Sequence, residues 1–259
     1  MDKKVILISI DGMRPDGFLA CGNSFVEEMM KIGSYTLDGR TTSPSVTLSC
    51  HMSMMHSVPA ERHGISGNLY MPMVRPVNGI FEQVAGAGGV SAMYYGWEPL
   101  RDVSRPESLK FAGYLNAYAE DDTDDSLTDM ALERIRKSKP DFVFLYMVET
   151  DEKGGHDHGW MSPEYLECIR KAVDNVKRVY EAFGREYTII ITADHGGHDR
   201  RHGTDLPEDM IIPLFFIGER FTPGQVLENV SILDIAPTIA DVMGIPAARE
   251  WEGKSLAQK

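Results

Sequence analysis

Five short apolar runs constrain the fold of this chain more than any other feature: Val5 to Ile10, Ser91 to Tyr95, Phe142 to Met147, Tyr187 to Thr192 and Ile212 to Ile217. They are β-branched or aromatic and continuous rather than alternating. That is the pattern of strands buried on both faces, as in parallel sheets covered by helices. Helical patterns lie between them. Thr128 to Lys137 sets Met130, Leu132 and Ile135 near one face. Ser162-Pro163-Glu164 opens a helix with proline in its first turn, continuing through Leu166, Ile169, Val173, Val176, Val179 and Tyr180. Ser231 to Met243 starts at a possible serine cap and stops at Gly244. The alternation predicts an α/β fold, a mainly parallel central sheet with helices on both faces, as one domain over residues 1–259. In such sheets ligands bind beyond the carboxyl ends of the strands, so chemical residues should follow strands.

At 259 residues and 42% hydrophobic, the chain can bury one large core. Its net charge of −13 argues against a nucleic-acid polymer or an anionic membrane as partner. A small phosphorylated substrate remains compatible, because bound cations reverse a local field. Cys21, Cys50 and Cys168 are too few and scattered for a disulfide framework, and a cytoplasmic setting is expected. The first apolar run is too short for a signal core, and no stretch approaches the ~20 apolar residues of a membrane span. Nothing here bears on oligomeric state. Asn68 to Asn78, rich in proline and methionine, is expected to form an excursion or small lid around residues 66–80. The acidic run Glu120 to Asp125 is expected to be a solvated helix start.

The strand ends carry the chemistry. Asp11 closes the first run. Directly after Phe142 to Met147 come Glu149, Asp151, Glu152, His156, Asp157 and His158. Tyr187 to Thr192 is followed by Asp194, His195 and His198, with His202 shortly after. Mixed carboxylates and imidazoles without a nearby thiol suit Zn²⁺, Mn²⁺ or Fe²⁺. His158 and His198 are expected to be structural or supporting. The segment Thr41 to His51 is rich in hydroxyls, and a hydroxyl at a helix start can approach a phosphate held by unpaired backbone N–H groups. There is no G-x-S-x-G elbow and no Walker loop.

Taken in order, these pieces resemble the alkaline phosphatase superfamily, in its nucleotide pyrophosphatase/phosphodiesterase branch. The matching text is Ile8-Ser9-Ile10-Asp11-Gly12-Met13-Arg14-Pro15-Asp16, Pro44-Ser45-Val46-Thr47 with His51, and Pro59 through His63-Gly64-Ile65. It continues with Asp151 and Gly155-His156, Ala193-Asp194-His195-Gly196, and His202-Gly203-Thr204-Asp205. The resemblance implies an alkaline-phosphatase-like core, here without a large cap domain, holding two divalent cations, Zn²⁺ foremost and Mn²⁺ as the second choice. One cation would be held by Asp11, Thr47, Asp194 and His195, the other by Asp151, His156 and His202. Thr47 falls at the nucleophile position, implying in-line attack on phosphorus, a phosphothreonine, and its hydrolysis. The implied activity is cleavage of a small-molecule phosphodiester or phosphomonoester. Phosphonate hydrolysis, or a catalytically silent metal-binding relative, are the alternatives. The sequence departs from the pattern at Cys50, where the branch carries an asparagine expected to contact a phosphoryl oxygen. Asp151 and His156 also stand one residue further apart than in D-x-x-G-H, so either the loop bulges or Glu152 replaces Asp151. A sulfatase is disfavoured, because Cys50-His51-Met52-Ser53-Met54 lacks the C-x-P-x-R signature.

Overall fold

The computed structural model describes residues 3–258, so the extreme ends of the expected 1–259 domain lie outside the described residues. One sheet carries the core. Its strands are β1 (Lys4–Ile10), β2 (Ser34–Arg40), β3 (Ser91–Tyr95), β4 (Phe111–Tyr114), β5 (Phe142–Met147), β6 (Tyr187–Thr192) and β7 (Ile211–Ile217). They lie in the order β2-β7-β6-β1-β5-β3-β4. From β4 to β6 neighbours are parallel; β7 runs antiparallel to both β6 and β2. The five apolar runs are β1, β3, β5, β6 and β7, but reading the last as parallel was wrong. The chain leaves β6, stays at that end of the sheet through the short helix Pro207–Met210, and enters β7 beside it, which without a crossover is necessarily antiparallel. The edge strands β2 and β4 escaped the sequence reading. Tyr-Thr-Leu-Asp-Gly in β2 is half exposed and bulged between Thr36 and Gly39, and β4 spans four residues.

Helices pack around this sheet. Pro163–Phe183 starts where its sequence indicates, with the Ser162 side chain accepting from the Tyr165 N–H. Ser231 caps a single tight turn, Ile232–Asp234, which runs into the helix Ile235–Met243 and ends at Gly244 with φ +67°. Both helices pack on the central strand β1. The helix Thr123–Ser138 begins inside the acidic run, and here the expectation of solvation holds only in part. Glu120, Asp121 and Asp122 are exposed, but Asp124 is buried. Its two oxygens accept from the backbone N–H groups of Val148 (2.9 Å) and Glu149 (3.1 Å), at the end of β5. Residues 66–79 form no helix or strand and expose Leu69, Tyr70, Met71 and Val74. The far end of that segment is tied down, since the Arg62 guanidinium bonds the Arg75 carbonyl and the Trp251 indole bonds that of Asn78.

Candidate active site

The carboxyl ends of β1, β5 and β6 converge because these three strands are adjacent. Register places Ser9 opposite Thr192, so Asp11 and Asp194 each lie two residues beyond a paired position. The Asp11 N–H continues the ladder to the Met147 carbonyl at 2.9 Å, and the Gly12 N–H donates to Asp194 Oδ1 at 3.2 Å. Gly12 is required twice over. Its φ is +65°, and a Cβ there would lie 2.8 Å from Asp151 Oδ1. The sharp turn thus brings the β1 and β5 loops into contact.

After β5 the chain makes one wide π-helical turn, Thr150–His156. Such turns absorb an inserted residue within otherwise helical backbone. The extra residue between Asp151 and His156 is taken up this way, with Gly154 and Gly155 packed tightly on Tyr165 and Trp160. Asp151 therefore stays in the site, with Oδ2 3.3 Å from His156 Nε2 and Oδ1 4.0 Å from His202 Nε2. Glu152 belongs to neither ligand group and instead accepts from the Tyr118 hydroxyl at 3.2 Å.

Three histidines are oriented alike. His195 Nδ1 lies 2.8 Å from the Gly196 carbonyl, His202 Nδ1 2.8 Å from that of Ser45, and His156 Nδ1 3.0 Å from that of Arg200. A carbonyl only accepts, so each Nδ1 donates its proton there, and a neutral ring must then turn a bare Nε2 lone pair inward. Those lone pairs face carboxylates. His195 Nε2 is 3.4 Å from Asp11 Oδ1 and 3.3 Å from Asp194 Oδ2. Asp11 Oδ1, Asp151 Oδ1 and Asp194 Oδ2 are all buried without a hydrogen-bond partner. Acceptors facing acceptors in a buried site require a proton or a cation between them.

The electrostatics agree. Burial, then Asp194 and Asp151, push Asp11 well above the usual carboxylate range, and burial raises Asp194 as well. Burial also opposes ionisation of Asp151, but the His156 bond and the facing His195 and His202 hold it low. Burial lowers His195 and His202, while the Asp151 bond lifts His156 to about 9. Two ligand groups result, each with donor atoms within 4.8 Å of one another: Asp11, Asp194 and His195, and Asp151, His195 and His202. His195 is common to both, and its ring stacks on that of His202 at 3.9 Å. The residues present fit two cations.

Thr47 is the first residue of the helix Thr47–His56, and its Oγ1 lies 3.2 Å from His195 Nε2. With Asp11, Asp151, His156 and His202 it lines a cavity of about 140 Å³ that also takes in Asn68, Trp97, Tyr118, Tyr146, Val148 and Glu152. Cys50 does not face this cavity. Its thiol sits 3.6 Å from the Thr42 and Pro44 carbonyls, and burial pushes it up to about 12. The Leu48 N–H donates to Asn68 Oδ1 at 3.1 Å, which turns the Asn68 amide toward the cavity. His198 is structural, bonding Asp209 at 2.7 Å and accepting from Arg201 at 3.2 Å; His158 is exposed.

Sequence reasoning passed over several residues that shape the site. Asn68 lay in the segment read as a lid, and one asparagine among prolines and methionines has no spacing signal. Tyr146, whose hydroxyl donates to Asp11 Oδ2, reads as one more apolar residue of β5. His51 belongs to the matching pattern, but its position in the sequence indicates no role; it is buried, with Nδ1 2.8 Å from the Thr47 carbonyl and 3.4 Å from Asp194 Oδ2. The Trp160 indole and Tyr165 hydroxyl both donate to the Gly12 carbonyl at 2.9 Å, pinning the turn that carries Asp11.

A sheet of this order, with Asp and His groups at three adjacent strand ends and a threonine at a facing helix start, is the core of the alkaline phosphatase superfamily. Within it, the chain belongs to the type I phosphodiesterase/nucleotide pyrophosphatase family, whose model matches residues 5–208. Human ectonucleotide pyrophosphatase/phosphodiesterase 5 shares the fold with a TM-score of 0.81, covering 97% of each chain at 16% identity. A phosphonate monoester hydrolase from Silicibacter pomeroyi superposes with a TM-score of 0.75 at 16% identity, over 98% of this chain and 76% of that one. In sequence, the 2,3-bisphosphoglycerate-independent phosphoglycerate mutase of Clostridioides difficile is 30% identical over 143 residues, or 51% of this chain and 27% of the mutase. The chain thus matches about a quarter of the length of such curated relatives. Among the described residues no helix is long and apolar enough to cross a membrane.

Proposed function

We propose that this protein is a two-cation phosphodiesterase acting on a small molecule, with Thr47 as nucleophile. The observation that carries the reading is the convergence beside Thr47 of three partnerless carboxylate oxygens and three imidazole Nε2 nitrogens. Asp11, Thr47, Asp194 and His195 would hold one divalent cation and Asp151, His156 and His202 the other, Zn²⁺ before Mn²⁺ for this ligand chemistry. When bound, the cations would stabilise the Thr47 alkoxide and the charge on the attacking and leaving oxygens. The chain supplies the rest. The start of helix Thr47–His56 and the Asn68 amide orient the phosphoryl oxygens, while Trp160 and Tyr165 keep the Asp11 turn fixed. Thr47 Oγ1 forms a bond to phosphorus as the bond to the leaving oxygen breaks, and water then cleaves the phosphothreonine.

Diesters are favoured over monoesters because, among the described residues, no Lys or Arg lines the cavity. A monoester brings a second negative charge that a neutral amide cannot balance. The three free cysteines suit a reducing, cytoplasmic setting, and the acidic surface argues against nucleic-acid polymers and anionic membranes as partners.

Assay of the Zn²⁺- or Mn²⁺-loaded protein tests this. Bis-p-nitrophenyl phosphate should be hydrolysed well above p-nitrophenyl phosphate, and phosphonoacetate not at all. Thr47→Ala should cut turnover by at least ~10³-fold while retaining metal, and acid-quenched ³²P-labelled substrate should leave label on Thr47. Full activity in Thr47→Ala would overturn the nucleophile; cleavage of phosphonoacetate alone would overturn the reaction class.

A further inference from the structure

At the β4 edge of the sheet lies a second cavity, of about 350 Å³, a size that suits a small molecule. Among the described residues it shares no lining side chain with the catalytic cavity. One wall is the helix Thr123–Ser138, whose Met130, Glu133, Arg134 and Lys137 fall at the i, i+3, i+4, i+7 spacing of a single face. Lys110 and the first residues of β4 form the opposite wall, and Tyr94 of β3 reaches in beside them. Gly113 makes room for that ring, since a Cβ there would lie 2.7 Å from Tyr94 Cδ1 and 2.9 Å from Met130 Cε.

The polar groups of this cavity lack partners. Tyr94 is 3% exposed, and its hydroxyl is buried with no hydrogen bond. Burial pushes that hydroxyl up to about 12, so it keeps its proton and remains a donor. The charges beside it do not balance either. Lys137 is paired with Glu133, but among the described residues no carboxylate lies within 4.0 Å of the Lys110 ammonium or the Arg134 guanidinium. Arg134 gives one N–H to the Ser138 hydroxyl at 3.3 Å and lies over the Phe111 ring at 4.5 Å, leaving its other N–H groups free. On a chain of net charge −13, two such cations reverse the field locally. Phe111 and the 37%-exposed Met130 add apolar surface next to them. A donor without an acceptor, two cations without an anion and an apolar wall define the missing occupant. We infer that this cavity is a binding site for a small organic anion, whose acidic group pairs with Arg134 and Lys110 and accepts from Tyr94, and whose flat apolar body lies on Phe111 and Met130. The site is independent of the phosphodiesterase reading above.

Calorimetric titration of the metal-loaded protein with 2-naphthoate tests this, with 2-naphthalenemethanol as the uncharged counterpart. The carboxylate should bind about tenfold or more tightly than the alcohol, the contribution of one charge-assisted contact. Arg134→Gln should weaken its binding by about the same factor. Tyr94→Phe deletes only the unpartnered hydroxyl, so the fold should be kept while affinity drops by roughly threefold to tenfold, as for one hydrogen bond. A hydroxyl that merely fills space would leave affinity unchanged in Tyr94→Phe, and that result would overturn its role. The natural anion can be a carboxylate or a phosphate monoester, and 2-naphthyl phosphate separates them, titrated into Thr47→Ala so that it is not cleaved. Tighter binding than 2-naphthoate would assign a phosphate monoester, and weaker binding a carboxylate. Binding of the ester at the catalytic cations would survive addition of Arg134→Gln, whereas binding at the β4 edge would not. Equal affinity for acid and alcohol, affinity undiminished in Arg134→Gln, or no binding of either anion at millimolar concentration would each overturn the site.

Discussion

The two candidate cation cradles are made of different material. The inner one, Asp11, Asp194 and His195, hangs on adjacent strands whose register fixes both carboxylates, and all three residues are buried. The outer one depends on a π-helical turn for Asp151 and His156 and on a loop for His202, and the His156 side chain is 35% exposed. A sheet can hold ligands only where its register puts them. A wide helical turn can take in one more residue and still deliver Asp151 to the same place. The inner cradle should therefore be rigid and exacting, and the outer one more forgiving and more responsive to solvent.

The largest effect expected from this contrast is on metal content. Asp194→Asn removes a buried charge that the inner cation needs and offers an amide where no donor is wanted. Inner-site occupancy should be lost, and turnover should fall by at least ~10³-fold. His156→Gln should empty only the outer site and leave one cation per chain. Asp151→Ala should do the same, whereas Glu152→Ala should leave metal content unchanged. Elemental analysis of purified variants reads all four. Two cations retained in Asp194→Asn would break the distinction, and loss of metal in Glu152→Ala would hand the ligand role to that residue.

This contrast also explains how much the sequence could say. Strands buried on both faces announce themselves as continuous apolar runs, so β1, β5 and β6 and the acids that end them were legible. β2 and β4 were not, because a bulge breaks the alternation of the half-exposed β2 and β4 is too short to show a period. Asp151 against Glu152 could not be decided from spacing, since a π-turn and an α-turn differ by one residue and the sequence does not mark which forms. Asn68 and Tyr146 became visible only with their neighbours placed, one by a backbone N–H twenty positions away and the other by a bond across two strands.

A middle-sized effect concerns pH. In the metal-free protein the bond to Asp151 lifts His156 to about 9, whereas burial pushes His195 below its ordinary value. At neutral pH the outer ring therefore holds a proton that an incoming cation must displace. The folded value is raised above the ordinary one near 6.5, so this ion pair contributes fully to metal-free stability below pH 6.5 and is lost as pH rises through about 9. Over the same window the half-saturating concentration of the outer cation should fall, by up to roughly tenfold per pH unit for one proton displaced. Calorimetric titration at several pH values measures this, and His156→Gln should flatten the dependence. A steep slope surviving in His156→Gln would place the displaced proton on another ligand.

The smallest expected effect probes what keeps the outer cradle in place. Asp124 and Glu149 form a reciprocal clamp between the helix Thr123–Ser138 and the end of β5. Asp124 accepts from the Val148 and Glu149 N–H groups, while Glu149 Oε1 accepts from the Thr123 N–H at 2.8 Å and from Lys153 at 2.8 Å. The π-turn carrying Asp151 starts immediately beyond Glu149, so its direction of departure is set by those two backbone bonds. Neither carboxylate lines the catalytic cavity. Asp124→Asn keeps one acceptor and sets an NH₂ against the other backbone N–H, leaving a buried donor unsatisfied at a cost of about 1–3 kcal/mol. For a chain of this size that lowers the melting temperature by roughly 2–4 °C per kcal/mol. Loss of stability alone would weaken both cation sites alike. A clamp on the outer turn predicts something narrower: affinity for the outer cation falls by about 10–100-fold, the usual cost of losing a supporting contact, while the inner cation binds as before. Titrating the second equivalent of metal into Asp124→Asn distinguishes the two, and parallel weakening of both sites would reduce Asp124 to a core residue with no bearing on the cradle.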